Sequence, residues 1–286
     1  MRSTSNPVFR NLTQQQQQGG GYAGFGSAAA GAGQFAHQYG QQPGYPPQGY
    51  QPAVPTTRPM TIDDVVTKTG ITLGVVTVAA IISYALTASN NSLASLFVIV
   101  GGLAGFALAM VASFGRKQDN PAIVLSYAAF EGLFLGALSF MFTNVQFGGA
   151  GGSGLIAQAV LGTFGVFFGM LVVYKTGAIR VTPRFTRMIV AAMIGILVLM
   201  LGNFVAGFFT SGGFGLRDGS TTSIIFSLVV IAIAAFSFLL DFDAADQLIR
   251  AQAPEKAAWG VAFGLTVTLV WLYIEILRLL SYFQDR

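Results

Sequence analysis

From about Ile71 onward the chain is a succession of long apolar runs broken by short polar stretches. The runs cover Ile71 to Leu86, Leu93 to Phe114, Pro121 to Phe142, Leu155 to Tyr174, Met188 to Phe209, Ser223 to Asp243 and Ala257 to Phe283. The sixth can continue as helix to Arg250. Each is near the ~20 residues that a helix needs to cross hydrocarbon. Lipid offers no hydrogen bonds to an exposed backbone, so runs of this length must close their own as helices. Only 9% of residues are charged and 53% are hydrophobic, against about 25% charged in a soluble domain. The expected fold class is therefore an all-α membrane protein, a seven-transmembrane helix bundle with a disordered N-terminal tail.

Local signals punctuate the runs. Thr61-Ile62-Asp63-Asp64 reads as a helix start, with Thr61 as N-cap and acids in the first turn. Pro121 suits the first turn of the third helix. If the first and shortest run were only interfacial, the count would be six. The basic residues argue for seven: twelve of the fifteen Lys and Arg then fall on the side of the N-terminal tail. The opposite side holds only Arg217 and Arg286, and Arg278 lies inside the last run. That asymmetry predicts a cytoplasmic N-terminus and an external C-terminus.

Two domains are expected. Residues 1–58 are rich in Gln, Gly, Pro and Tyr, with too few branched aliphatics to offset the entropy of ordering. Residues 59–286 form the transmembrane domain. There is no cysteine, and the one histidine, His37, lies in the tail. This composition excludes a disulfide framework, a His or Cys metal cluster and a Ser-His-Asp triad. No phosphate loop or dinucleotide fingerprint is present, so neither an enzyme nor a cofactor nor a nucleic-acid partner is expected.

Chemistry is expected where acids enter the spans, since an ionised carboxylate inside a bilayer costs at least a few kcal/mol and normally faces protein or a watery path. Asp241 and Asp243 end the sixth run, two residues apart and so on different helix faces, with Asp246 a turn beyond. Glu275 lies deep in the seventh run among Trp271, Leu272, Tyr273, Ile274 and Ile276, near the midplane by rise alone. Arg278, three residues on, is a possible charge partner. Glu131 lies at similar depth in the third run. Two carboxylates meeting in a low-dielectric bundle cannot easily both carry charge, so Glu131 and Glu275 together would make a proton-gated switch or a cation site. Gly132 and Gly136 form a small-residue seam beside Glu131. Asn144 and Asn203 are weaker polar candidates.

The chain resembles the Bax inhibitor-1 family of membrane proteins, in particular a bacterial branch with a long polar N-terminal tail. The resemblance rests on the opening Ser5-Asn6-Pro7-Val8-Phe9, on Glu131-Gly132-Leu133-Phe134-Leu135-Gly136, on Phe242-Asp243 followed by Gln247-Leu248-Ile249, and on Leu272-Tyr273-Ile274-Glu275-Ile276-Leu277. It covers roughly Thr61 to Phe283, leaving the tail outside. It implies a bundle with a central last helix, in a bacterial plasma membrane, and a pH-sensitive path for calcium leak. In that family two acids from the sixth and seventh helices share a proton and close the path, and deprotonation opens it. Carried over, these are Glu275 and either Asp243 or Asp241, with calcium passing transiently near Asp243 and Glu275.

The expected function is thus a pH-responsive calcium (cation) leak channel or transporter gated by intramembrane acids, with the lipid bilayer, calcium and protons as partners. The alternative is a non-conducting membrane partner protein that regulates a membrane protease or stress response, in which the acids only specify packing.

Overall fold

The computed structural model describes residues 58–145, 152–210 and 213–284. Residues 1–57, and with them nearly all of the expected tail, lie outside the described residues. So do the loop glycines at 148, 149 and 151, and the side chain of Asn144. The described chain is an all-α bundle with seven helices long and apolar enough to cross a membrane. They are α1 Ile62–Ser89, α2 Ser92–Phe114, α3 Pro121–Phe140, α4 Gly152–Thr176, α5 Pro183–Ala206, α6 Thr221–Arg250 and α7 Ala257–Gln284. A single π turn, Met141–Val145, extends α3.

The first span begins nine residues earlier than hydropathy alone marks it. Its start is the capping box at Thr61: the Thr61 amide donates to Asp64 Oδ2 at 2.9 Å, and the Asp64 amide donates back to Thr61 Oγ1 at 3.4 Å. With 28 residues, α1 is a full span and not an interfacial helix. The α6 helix runs unbroken through its acids to Arg250, and Asn120, Thr182 and Ser220 cap α3, α5 and α6.

The last helix is the hub. It packs against α1, α3, α4 and α6, and its buried face from Ala258 to Leu277 supplies residues to every apolar cluster of the core. By contrast α2 packs mainly on α3, and α5 mainly on α6. Close approach in the α1–α3–α2 layer depends on missing side chains. A Cβ at Gly132 would stand 2.5 Å from the Val76 carbonyl oxygen, and one at Gly136 would collide with the Ala80 carbonyl, both on α1. On α2, a Cβ at Gly101 would stand 2.7 Å from the Phe134 amide of α3. The seam of small residues is thus a packing device, used from both sides of α3.

A clasp closes the end of the bundle nearest the tail. Residues before α1 pair antiparallel with the α6–α7 connection: Met60 N–H donates to Ala253 O at 2.8 Å, and Glu255 N–H donates to Arg58 O at 3.0 Å. Met60 is buried in the main core cluster. Around it Arg58 bridges Asp64 and Glu255, and Lys68 reaches Glu255 while lying over the Trp259 ring. Arg58 therefore belongs to the folded domain rather than to the tail.

Candidate functional site

Residues 213–219, which hold Arg217 and lead to the Ser220 cap, are shaped by glycine. Gly213, Gly215 and Gly219 have φ of 64°, 71° and 79°, in the left-handed region open to residues without a Cβ. These turns fold the loop back over the bundle. Phe214 N–H donates to the Asn203 side chain at 2.8 Å, which fixes one end of the loop to α5. At the other end Ser223 Oγ donates to Asp218 Oδ1 at 2.6 Å, and Ser220 N–H donates to the same oxygen at 3.0 Å. Those bonds hold the Asp218 carboxyl down at about 2.

Between these two anchors Arg217 turns inward. Its Nη1 donates to Glu275 Oε1 at 2.8 Å, and its guanidinium lies over the Phe226 ring. Ser227 Oγ of α6 donates to the same Glu275 oxygen at 2.7 Å. The Glu275 side chain is 1% exposed and that of Arg217 is 18% exposed. Glu275 is thus a buried carboxylate held by one guanidinium and one hydroxyl. Tyr282 lies beside both Arg217 and Arg278.

This corrects two expectations. Arg278 is not the ion-pair partner of Glu275: the bridge goes to Arg217, and the buried Arg278 Nε has no hydrogen-bond partner among the described residues. Nor is Glu275 at the middle of its helix. It lies about 7 Å beyond the centre of α7, away from the tail, by a ~1.5 Å rise per residue.

The other acids go elsewhere. Asp241 accepts a hydrogen bond from Thr268 Oγ1 of α7 at 2.8 Å. Thr268 precedes Glu275 by seven residues, about 10 Å along the helix. Asp243 is held by Gln247 Nε2 at 2.6 Å and faces Tyr174 of α4, 3.5 Å away. Asp246 pairs with Arg250 at 2.7 Å. Glu131, at the centre of α3, is directed at α2: a Cβ on Gly105 would stand 2.8 Å from its Oε2. Among the described residues it has no hydrogen-bond partner. The structure therefore brings Glu275 to none of Asp241, Asp243 or Glu131. Two carboxylates share a proton only in hydrogen-bond contact, and that contact is absent between them here.

Two crevices approach this region from opposite ends. One, of about 440 Å³, opens on the tail side between the α2–α3 loop, α6 and α7, with Asp241, Arg116, Gln118 and Asp119 in its wall. At that end Lys256 bonds Asp119 at 2.8 Å and holds its carboxyl below the usual range. The other, of about 390 Å³, lies on the far side between α5 and the loop, and Arg217 and Asp218 line it. Between Asp241 and Glu275 stand Phe238, Leu239 and Leu272, each 0% exposed. An apolar layer about two helix turns thick therefore separates the two crevices.

Three residues of this arrangement escaped the sequence reading: Arg217, Ser227 and Thr268. A signal for Arg217 was present, as a lone cation in loops otherwise stripped of positive charge. Among the described residues no group of three or more His, Cys, Asp or Glu is placed to hold a metal.

No individually curated protein matches the chain. A family profile, described as Bax inhibitor 1 like, matches residues 6–285. That span reaches much further towards the N-terminus than the motifs from Thr61 onward, and it includes most of the tail. With nearly the whole chain matched, the protein belongs to the Bax inhibitor 1-like family of membrane proteins.

Proposed function

We propose that this protein is a pH-responsive leak path or transporter for cations, calcium foremost, in a bacterial plasma membrane, with its N-terminus in the cytoplasm. It acts without enzymatic chemistry. The observation that carries the reading is the axial sequence of polar crevice, Asp241, apolar layer, Glu275, Arg217 and second crevice. A carboxylate buried that deeply is costly and is otherwise found along ion and proton paths. In this arrangement the path is closed twice, by the Phe238–Leu239–Leu272 layer and by the Arg217 guanidinium occupying the place of a cation on Glu275. Opening requires Arg217 to leave Glu275 and the apolar layer to part. Asp241 and Asp243 then serve the tail-side entrance, and Glu131 stands apart from the path.

The test is calcium flux into proteoliposomes as a function of pH, for wild type, Glu275→Gln and Asp241→Asn. Protonation of Glu275 would loosen its hold on Arg217, so the expected result is a flux that depends on pH in the wild type and loses that dependence in Glu275→Gln. Flux indifferent to pH and to both substitutions overturns the reading.

A second reading has one observation in its favour. Because Arg217 compensates Glu275 within the chain, the pair can serve packing specificity alone. The protein is then a non-conducting partner of a membrane protease or stress-response component. Recovery of that partner from native membranes by wild type, and its loss with Glu275→Gln at unchanged flux, distinguishes the two.

A further inference from the structure

A groove of about 500 Å³ runs between α1 and α4, with α3 and α7 as its floor. It is lined by Leu73 to Ala85 on α1, Leu135 to Ser139 on α3, Ile156 to Phe164 on α4 and Leu269 to Tyr273 on α7. Every lining residue belongs to a membrane-spanning helix and none to a loop. The rim is made by Thr77, Ile81 and Ala85 on one side and Val160 and Phe164 on the other, all exposed. The floor is made by buried Val76, Leu135, Leu269 and Val270. The mouth thus opens sideways, at hydrocarbon depth, and not towards water.

The chemistry inside is almost wholly apolar. Thr77 and Thr163 turn their hydroxyls onto carbonyls of their own helices, at 2.8 and 2.7 Å. The other polar side chains are Ser139, which donates to Leu135 O at 2.6 Å and lies 2.8 Å from the Tyr273 hydroxyl, and Tyr84, whose hydroxyl is 3.5 Å from Thr143 Oγ1. Tyr84 and Ser139 lie towards the ends of α1 and α3 away from the tail. The other end, at Leu73 and Leu269, lies near the helix centres.

Size selects the occupant. The volume is within the ~300–1,000 Å³ of ligand pockets. A single extended hydrocarbon chain is narrow enough. The groove is also continuous with the lipid-facing surface of α1 and α4, so acyl chains already stand at its mouth.

We infer that this groove binds one acyl chain of a phospholipid from the leaflet opposite the tail, its ester end towards Tyr84 and Ser139 and its methyl end towards Leu73. The whole protein is reconstituted in phospholipid nanodiscs containing a small fraction of a phospholipid with a diazirine midway along one chain. After illumination, adducts are mapped by peptide mass spectrometry. Labelling of Ile81, Ala85, Val160 and Phe164 should exceed that of the equally lipid-facing α5 residues Leu197 and Leu201 several-fold. It should fall several-fold in Ala85→Trp and in Val160→Trp, two rim substitutions made on exposed positions, while α5 labelling stays constant. Even labelling over all lipid-facing helices in the wild type overturns the inference, whatever the variants do. So does labelling that survives both Trp substitutions. So does protection of the rim by a cross-linked polypeptide, which would mean a partner protein covers it.

Discussion

Arg217 and Glu275 are 58 positions apart in sequence and meet at 2.8 Å inside the bundle. The guanidinium comes from a loop and the carboxylate from the most enclosed helix, so the pair ties the far-side loop to the hub of the fold.

Removing one partner of this pair strands the other. Arg217→Ala leaves a carboxylate that is 1% exposed with only Ser227 as donor, and the loss should approach the ~3–5 kcal/mol typical of a broken buried pair. Glu275→Gln should cost less, since the amide oxygen still accepts from Ser227. The double variant Arg217→Ala, Glu275→Gln should be more stable than Arg217→Ala alone. Unfolding of the three variants in mixed micelles measures this, and strictly additive losses would remove the pair from the account of stability.

The glycines of α3 tolerate no side chain. Gly132→Leu drives a side chain into the Val76 carbonyl and the Ala79 methyl of α1, with an expected loss of at least about 2 kcal/mol from overpacking. Gly165→Leu on α4, where a Cβ meets nothing within 4 Å, should be close to neutral. Thermal denaturation of the two purified variants makes the comparison, and equal effects would contradict the packing described for α1 and α3.

Asp218 gives the loop a pH response of known sign. Its carboxyl is held at about 2 by Ser223 and Ser220, below its ordinary value of 3.8. A folded-state value below the unfolded one adds stability that is fully present above the unfolded value. That stability is lost as pH falls through the folded one, here from about 4 down to about 2. Carboxyl carbon NMR should show the low midpoint in the wild type and a shift upward in Ser223→Ala. A midpoint near 4 in both would mean that the hydroxyl does not hold the acid.

The tail-side clasp hinges on Glu255, which receives both Arg58 and Lys68. Glu255→Ala removes the ion pair of Lys68, whose side chain is only 11% exposed, and leaves its 2.8 Å bond to the backbone carbonyl of residue 255. Because Glu255 is itself 38% exposed, the loss should be modest, about 1 kcal/mol. Lys68→Met in the same background should recover part of it, since the unpaired buried charge is then gone. Thermal unfolding of the single and double variants decides the point.

The sequence by itself determined the seven spans, their order and the helix starts at Thr61 and Pro121, because lipid forces each apolar run to satisfy its own backbone within about 20 residues. It also marked Glu275 as the acid that must be accommodated, since carboxylates are costly at such depth. What accommodates it was decided by tertiary structure alone. Spacing along α7 pointed to Arg278, yet the partner is Arg217, delivered by three left-handed glycines whose turns no periodicity encodes. Depth counted along the spans put Glu131 at a level similar to Glu275, where the two could meet, but the glycine face of α3 turns towards α1 and directs Glu131 to Gly105 of α2. Asp241 was readable as a candidate acid at the end of the sixth run, whereas its bond to Thr268 depends on how α6 and α7 cross. Spans are set by local hydrogen bonding against the bilayer, while the partner of a buried charge is set by helix rotation and loop path, which only the packed bundle defines.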